Sequence, residues 1–360
     1  MMTIEELEVA CDISRVPDFS RHDIEAPELS LKEIFYPYGF PTEVWTNSVE
    51  ILTECREKWG VFEKKFDTET IRVDVHVVES DSMECPPAPI TRMMRPLVVS
   101  AADADNYAVY DLGRNRTHIT ISRATERHKL YLQYFFLEGM ASCHIGARYV
   151  KGVHAACVAL DGRGVLLCGD SGAGKSTLSY ACARAGWTYV TDDLSLVLNG
   201  GAHRTVIGNC HRVRFRPTAA KLFPELKGLG VTPRAAGQPS IELATASMPH
   251  VTCSQSAQVD FMVFLNRRGE GSPALVPYRK DVARYFIRQQ EMYVSEESLA
   301  MHNKAIEELL TAEILELRYT DLDWAIARLE TLVRQRGRPV RFNTAITGPA
   351  QSDQELVPIR

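Results

Sequence analysis

Residues 164–193 read GVLLCGDSGAGKSTLSYACARAGWTYVTDD, and the fold follows from how this stretch is parsed. The run GVLLC is apolar, short and bounded by glycine, which predicts a buried strand. Residues 169–176, GDSGAGKS, fit G-x-x-x-x-G-K-[ST] at every position. Glycines there let successive backbone N–H groups turn inward as an anion nest at a helix N-terminus. STLSYACARA predicts that helix, and WTYV predicts the next strand. In this reading Gly169, Asp170, Ser171, Gly172, Ala173, Gly174, Lys175, Ser176 and Thr177 cradle nucleotide phosphates. Lys175 brings a point charge to the β- and γ-phosphates, and the Ser176 hydroxyl is a ligand for Mg²⁺. The cofactors expected are therefore ATP and Mg²⁺. Asp192 and Asp193 follow only sixteen residues after Ser176. A carboxylate at the end of a neighbouring strand points into the same crevice as the phosphates. One aspartate can then hold Mg²⁺ while the other accepts a proton from an incoming hydroxyl. The plainer alternative is that the pair caps a turn.

Upstream, HAACVALDGRGVLLCG reads as two strands joined by Asp161-Gly162, a strong hairpin signal. His154 starts that hairpin and so falls beside the same end of the sheet; taken alone it is more often a structural histidine. Downstream, the strands LSLVLNG, HRTVIGN and HRVRFRP are followed by a short helix, TAAKLFPEL, and a Gly/Pro-rich loop over 228–239. Arg212, Arg214 and Arg216 alternate with apolar residues and share one strand face. That face is either a charge stabiliser beside the phosphates, Arg212 included, or a solvated edge. QVDFMVFLNRRG is another strand, whose Arg267 or Arg268 can reach a nucleotide. Three helical segments and the strand EILELRY complete the chain.

Residues 1–35 read as an N-terminal arm. Residues 36–150 read as an α+β domain that presents a substrate or partner: a strand running into a helix, the alternating strand TIRVDVHVVES, the loop CPPAPITRMMRP, a hairpin over YAVYDLGRNRTHITISR, and one long buried helix. Residues 151–336 form the catalytic domain, and 337–360 a disordered tail.

Composition narrows the function class. The chain has 360 residues, 45% hydrophobic and 24% charged, with 41 Lys and Arg against 46 Asp and Glu, a formal charge of −5. This argues against a nucleic-acid footprint over the whole surface. The nine cysteines are scattered, with no C-x-x-C spacing, as in reduced cytosolic proteins. The first residues are acidic and lack an apolar core, and no run is long enough for a membrane span. A cytoplasmic enzyme, with neither nucleic acid nor membrane as partner, is the expectation; a homo-oligomer is left open.

The run HAACVALDGRGVLLCGDSGAGKS followed by VTDD resembles the C-terminal catalytic domain of HPr kinase/phosphorylase and its HPr-kinase-like relatives, of the phosphoenolpyruvate-carboxykinase-type P-loop group. The likeness is good over 153–217 and looser to about 331. It implies a mixed-sheet α/β kinase domain preceded by a smaller α+β domain. It also implies Asp192 as catalytic acid/base, Asp193 on the metal side, and His154 as support for the pair. The family's signature L-E-I-R-G-L-G, whose glutamate helps hold magnesium, has no counterpart in VIGNCHRVRFRP. The acceptor implied is a hydroxyl of a protein, a peptide or a small molecule; some relatives phosphorylate precursor peptides, others free serine or a sugar-like alcohol. A regulator of a phosphocarrier and a catalytically idle nucleotide sensor are the alternatives. A transport ATPase is disfavoured, since no L-S-G-G-Q signature is present.

Overall fold

The computed structural model describes residues 29–200, 203–235, 238–267, 272–288 and 295–335. It is a mixed α/β structure built on two large sheets. The first begins with β1 (Leu31–Phe35), antiparallel to β2 (Thr42–Thr46). Helix α1 (Val49–Trp59) then crosses to β3 (Ile71–Val78), which lies parallel to β2. β4 (Ile90–Met94), β5 (Leu97–Ala101), β6 (Tyr107–Asp111) and β7 (Arg116–Ser122) form a meander that returns β7 alongside β3, again parallel. Ile71, Val73, Val75 and Val77 of β3 all point into one core, as period-two alternation requires. Over this face lies a helical run: α2 (Arg123–Arg127), a turn at Lys129–Tyr131, a π-helical segment (Leu132–Glu138) and α3 (Gly139–Arg148). Leu132, Phe136, Leu137 and Met140 fill the space between it and the sheet.

The second sheet takes over at β8 (Val150–Val153). β9 (Ala156–Leu160) and β10 (Arg163–Cys168) form a hairpin around Asp161 and Gly162, both at positive φ (51° and 79°), the backbone an Asp-Gly two-residue turn supplies. Helix α4 (Lys175–Arg184) leads to β11 (Thr188–Thr191), which pairs with β9. β12 (Ser195–Leu198) and β13 (Thr205–Ile207) extend the sheet, and β14 (Arg212–Phe215) forms a separate ribbon with β15 (Ile241–Ala244). After the short β16 (Thr252–Cys253) comes the long β17 (Ser256–Asn266), parallel to β10 and central to the sheet. β18 (Ala274–Pro277), α5 (Lys280–Arg288), α6 (Glu296–Leu309), β19 (Glu313–Arg318) and α7 (Leu322–Gln335) follow.

Helices cover both faces of this sheet. Leu166 and Cys168 of β10 pack toward α5 and α6, while Val165 and Leu167 pack toward α4 and α7. That two-sided burial is why the sequence there is a continuous apolar run, with no alternation. Leu196, Leu198 and Ile207 of the second sheet belong to the core of the first, so the two halves share apolar packing across residue 150.

Several expectations are corrected. Leu31–Phe35, read as part of an arm, is a paired strand; residues 1–28 lie outside the described residues, as does the tail 337–360. ITRMM, read as loop, is β4. All five of its residues are exposed, so the segment shows no in–out alternation to read. The long helix breaks at His128, whose φ and ψ of −88° and 66° leave the helical region. Its last two predicted residues, Tyr149 and Val150, leave the helix and lead into β8. TAAKLFPEL forms two 3₁₀ turns, Pro217–Lys221 and Pro224–Leu226, each opened by a proline. The eight cysteines among the described residues are all free.

Gly164 lets β17 approach β10. A Cβ there would lie 2.5 Å from the Gln258 carbonyl oxygen, at the point where the β10–β17 register shifts. Gly164→Ala is expected to lower stability by about 1–3 kcal/mol, the range for overpacking, read as a lower denaturant midpoint. An unchanged midpoint would show that β17 can step aside.

Candidate active site

The loop from Gly169 to Gly174 joins β10 to α4. Gly169, Gly172 and Gly174 sit at φ of 145°, 88° and 103°, a backbone that L side chains rarely adopt. Gly174 has a steric reason as well: a Cβ would lie 2.9 Å from Arg267 Cδ. Lys175 opens α4, and its ammonium turns back over the loop to the carbonyls of Gly169 (2.7 Å) and Asp170 (3.2 Å). Burial pulls its pKa below the usual lysine value, opposed by Asp193. Arg216 bonds the Ser171 hydroxyl at 3.0 Å from the other side. The glycine loop at the N-terminus of α4 is thus flanked by cations on both sides.

Asp192 and Asp193 stand just past the end of β11 in different surroundings. Asp192 is buried at 6% exposure. One carboxylate oxygen lies 3.1 Å from the Tyr189 hydroxyl, and the other accepts the Arg214 backbone N–H at 3.0 Å. Burial raises its pKa to about 6; the two donors hold it down and Asp193 pushes it up. Asp193 is half exposed, with Oδ1 3.2 Å from His154 Nδ1. That contact, chiefly, lowers its pKa. The Ser176 hydroxyl reaches the Asp192 carbonyl at 3.4 Å, tying α4 to the end of β11. Gly208 keeps this corner tight, since a Cβ there would meet Thr191 at 2.6 Å.

A cleft of about 760 Å³ gathers these groups. Ser171, Gly172, Gly174, Lys175, Ser176 and Thr177 face it, together with His154, Asp192 and Asp193. Gly169, Asp170 and Ala173 complete the loop behind them. Its lining carries the cations Lys175, Arg214, Arg216, Lys221, Arg234 and Arg267 against two aspartates, so the field inside is strongly positive. Arg212 does not line this cleft; it faces a neighbouring one of about 520 Å³. Arg214 faces both, and β14 ends at Phe215, which frees Arg216 to turn toward Ser171. Arg268 lies outside the described residues.

Sequence reading missed three participants. Tyr189, on β11, stands three residues before Asp192 and bonds it, a contact that strand periodicity does not reveal. Glu242, on β15, lies 3.4 Å from Arg212 and 3.3 Å from Arg214, a pairing that requires knowing the ribbon register. Arg234 sits in the Gly/Pro-rich loop and lines both clefts; nothing in a loop's composition marks it.

No family model matches the sequence, and no curated protein matches it. Among solved structures, the Hpr(Ser) kinase/phosphatase from Coxiella burnetii is similar at 14% identity over 51% of this chain and 94% of that one, with a TM-score of 0.26. Among the described residues no helix is long and apolar enough to cross a membrane.

Tyr189 is one of the two donors that hold the Asp192 pKa down against burial. Removing its hydroxyl in Tyr189→Phe should raise the Asp192 pKa further, by about 0.5–1 unit, measured by carboxyl-carbon NMR titration. A pKa that stays in place would show that the hydroxyl serves the Arg212 carbonyl instead, which lies at the same 3.1 Å.

Proposed function

We propose that this protein is an ATP- and Mg²⁺-dependent phosphotransferase that moves the γ-phosphate to a hydroxyl, with a kinase domain of the HPr-kinase C-terminal type. One observation carries the reading: a glycine-built anion site at the head of α4 and a carboxylate pair at the end of β11 face each other across one cationic cleft.

The residues suit the nucleotide. The loop N–H groups and Lys175 bind the phosphates, and Arg216 and Arg267 neutralise the charge that develops during transfer. They also suit the metal. Magnesium retains most of its waters and needs only one or two carboxylates besides the phosphates, so Ser176 and Asp193 form a sufficient pair of hard oxygen donors. When bound, the ion supplies charge neutralisation on the phosphates. His154 orients Asp193 toward that task. Asp192 is the proton acceptor: each carboxylate oxygen has a lone pair beyond the one engaged by Tyr189 or Arg214, and a pKa of about 6 keeps it ionised yet basic near neutral pH. Residues 36–150 form the wall that presents the acceptor. The expected setting is the cytoplasm.

A second reading has its own observation. Both Asp192 oxygens are already hydrogen-bonded, as in a purely structural carboxylate, and the protein would then sense nucleotide without turnover.

Paired variants separate the two. A base must be ionised, so activity should climb as pH rises through about 6 and level above it. Asp192→Asn should abolish that acid limb and cost about 10²–10⁴-fold in rate. The sign for stability is opposite: with the folded pKa raised above 3.8, the native state holds the proton better than the unfolded chain, so Asp192 costs stability as pH rises from 3.8 to about 6. Asp193→Asn should lose activity that returns as Mg²⁺ is raised, whereas Asp192→Asn should not recover. Full activity in both variants would remove the base and metal roles from the pair, and ATP binding without any turnover by the unaltered chain would leave the sensor reading standing.

A further inference from the structure

The 520 Å³ cleft meets the phosphate cleft at Asp192, Asp193, Arg214 and Arg234, which line both. We propose that this second cleft is the acceptor site, and that it takes a small hydroxylated anion. The acid group would lie on Arg212 and Arg234, and the hydroxyl at the aspartates. The proposal rests on the phosphotransferase reading above.

Four features point to a ligand site here. Its volume lies in the range of small-molecule sites. Its far wall comes from the first sheet and its helical cover, through Tyr38, Tyr134, Phe135 and Glu138, so the cleft is closed by both halves of the chain. Two irregular elements converge there. The π-helical segment carries Tyr134, Phe135 and Glu138, and π turns cluster at functional sites. Tyr38 occupies the left-handed region at φ 53°, ψ 16°, a conformation that costs a non-glycine residue energy and persists where surroundings impose it. Burial and the Glu138 carboxylate raise the phenol's pKa, so it stays a protonated donor.

The charges are uneven. Glu138 is paired with Lys58 at 2.6 Å and Asp193 with His154. Arg212 and Arg214 share the single carboxylate of Glu242. Arg234 makes no hydrogen bond or ion pair among the described residues. With Asp192 and Glu242 set against Arg212 and Arg214, Arg234 remains the arginine available to a carboxylate, while Phe135 and Tyr134 offer rings to a carbon chain. A hydroxyl with no acid group beside it would leave Arg234 unmatched.

In the transfer itself, the acceptor oxygen forms its bond to the γ-phosphorus as the bond to the β–γ bridging oxygen breaks. The hydroxyl proton passes to Asp192, and ADP leaves with the bridging oxygen.

The test uses the full chain with Mg²⁺ and radiolabelled ATP. Three acids are each set against a counterpart lacking the carboxylate: D-glycerate with glycerol, D-gluconate with sorbitol, and L-serine with ethanolamine. Dephosphorylated casein stands as a protein acceptor. At least one acid should be labelled about tenfold or more above its counterpart, the discrimination expected of a charged hydrogen-bonded pair. That labelling should fall in Arg212→Ala. Ser142→Trp, at an exposed position on the cleft's rim, should block it while binding of a fluorescent ATP analogue persists. Equal labelling of acids and counterparts, labelling of casein alone, or no labelling by a protein that binds ATP overturns the proposal. Failure of the unaltered chain to bind ATP would instead sink the reading beneath it.

Discussion

A carboxylate taken almost out of water must be compensated, and Asp192 is compensated by a hydroxyl from the strand that precedes it and a backbone N–H from β14. The two donors restrain but do not cancel the effect of burial, which leaves the group near pKa 6. They also fix its position, because one comes from Tyr189 on the main sheet and the other from the β14–β15 ribbon. Displacing either element would leave a buried charge short of a partner. Much of the site is organised around that requirement.

The surrounding structure serves it in layers. β9, β10 and β11 lie side by side, so the hairpin end bearing His154, the glycine loop and the aspartate pair emerge at one edge. Ser176 bonds the Asp192 backbone and sets the distance between helix and strand. The shared core across residue 150 holds the first sheet against the second, which is what forms the smaller cleft. Asp193, a single residue further on, escapes burial and pairs with His154. Adjacent carboxylates thus acquire opposite pKa shifts from their environments alone, the usual way acid–base roles are divided.

How much of this was legible in the sequence depended on how local its cause is. The glycine loop, the Asp-Gly hairpin and the buried β10 strand are written in short-range terms: positive-φ positions and an unbroken apolar run. Strand β4 was not legible, because its exposed residues have no periodicity. Strand β8, VKGV, is short and carries a glycine, and it is a strand because β12 pairs with it. At the site, the Asp-Gly hairpin placed His154 beside the glycine loop, and only the family resemblance joined it to the two aspartates. Tyr38, Glu242 and Arg234 could not be placed, since distant chain decides where each lies, and Tyr189 could not because strand alternation does not show its hydroxyl turning to Asp192. Arg212 faces the smaller cleft because only the ribbon's orientation decides which way β14 presents it.

The claim at the centre is that phosphate passes in one step between two clefts that share an aspartate wall. The stereochemical course of the reaction reads this directly. ATP made chiral at the γ-phosphorus with sulfur and oxygen isotopes would be turned over by the full chain, with water as acceptor if no other is supplied. A single in-line transfer with Asp192 as base predicts inversion of configuration at phosphorus. Net retention would mean two successive displacements through a phosphorylated residue, and would contradict the account.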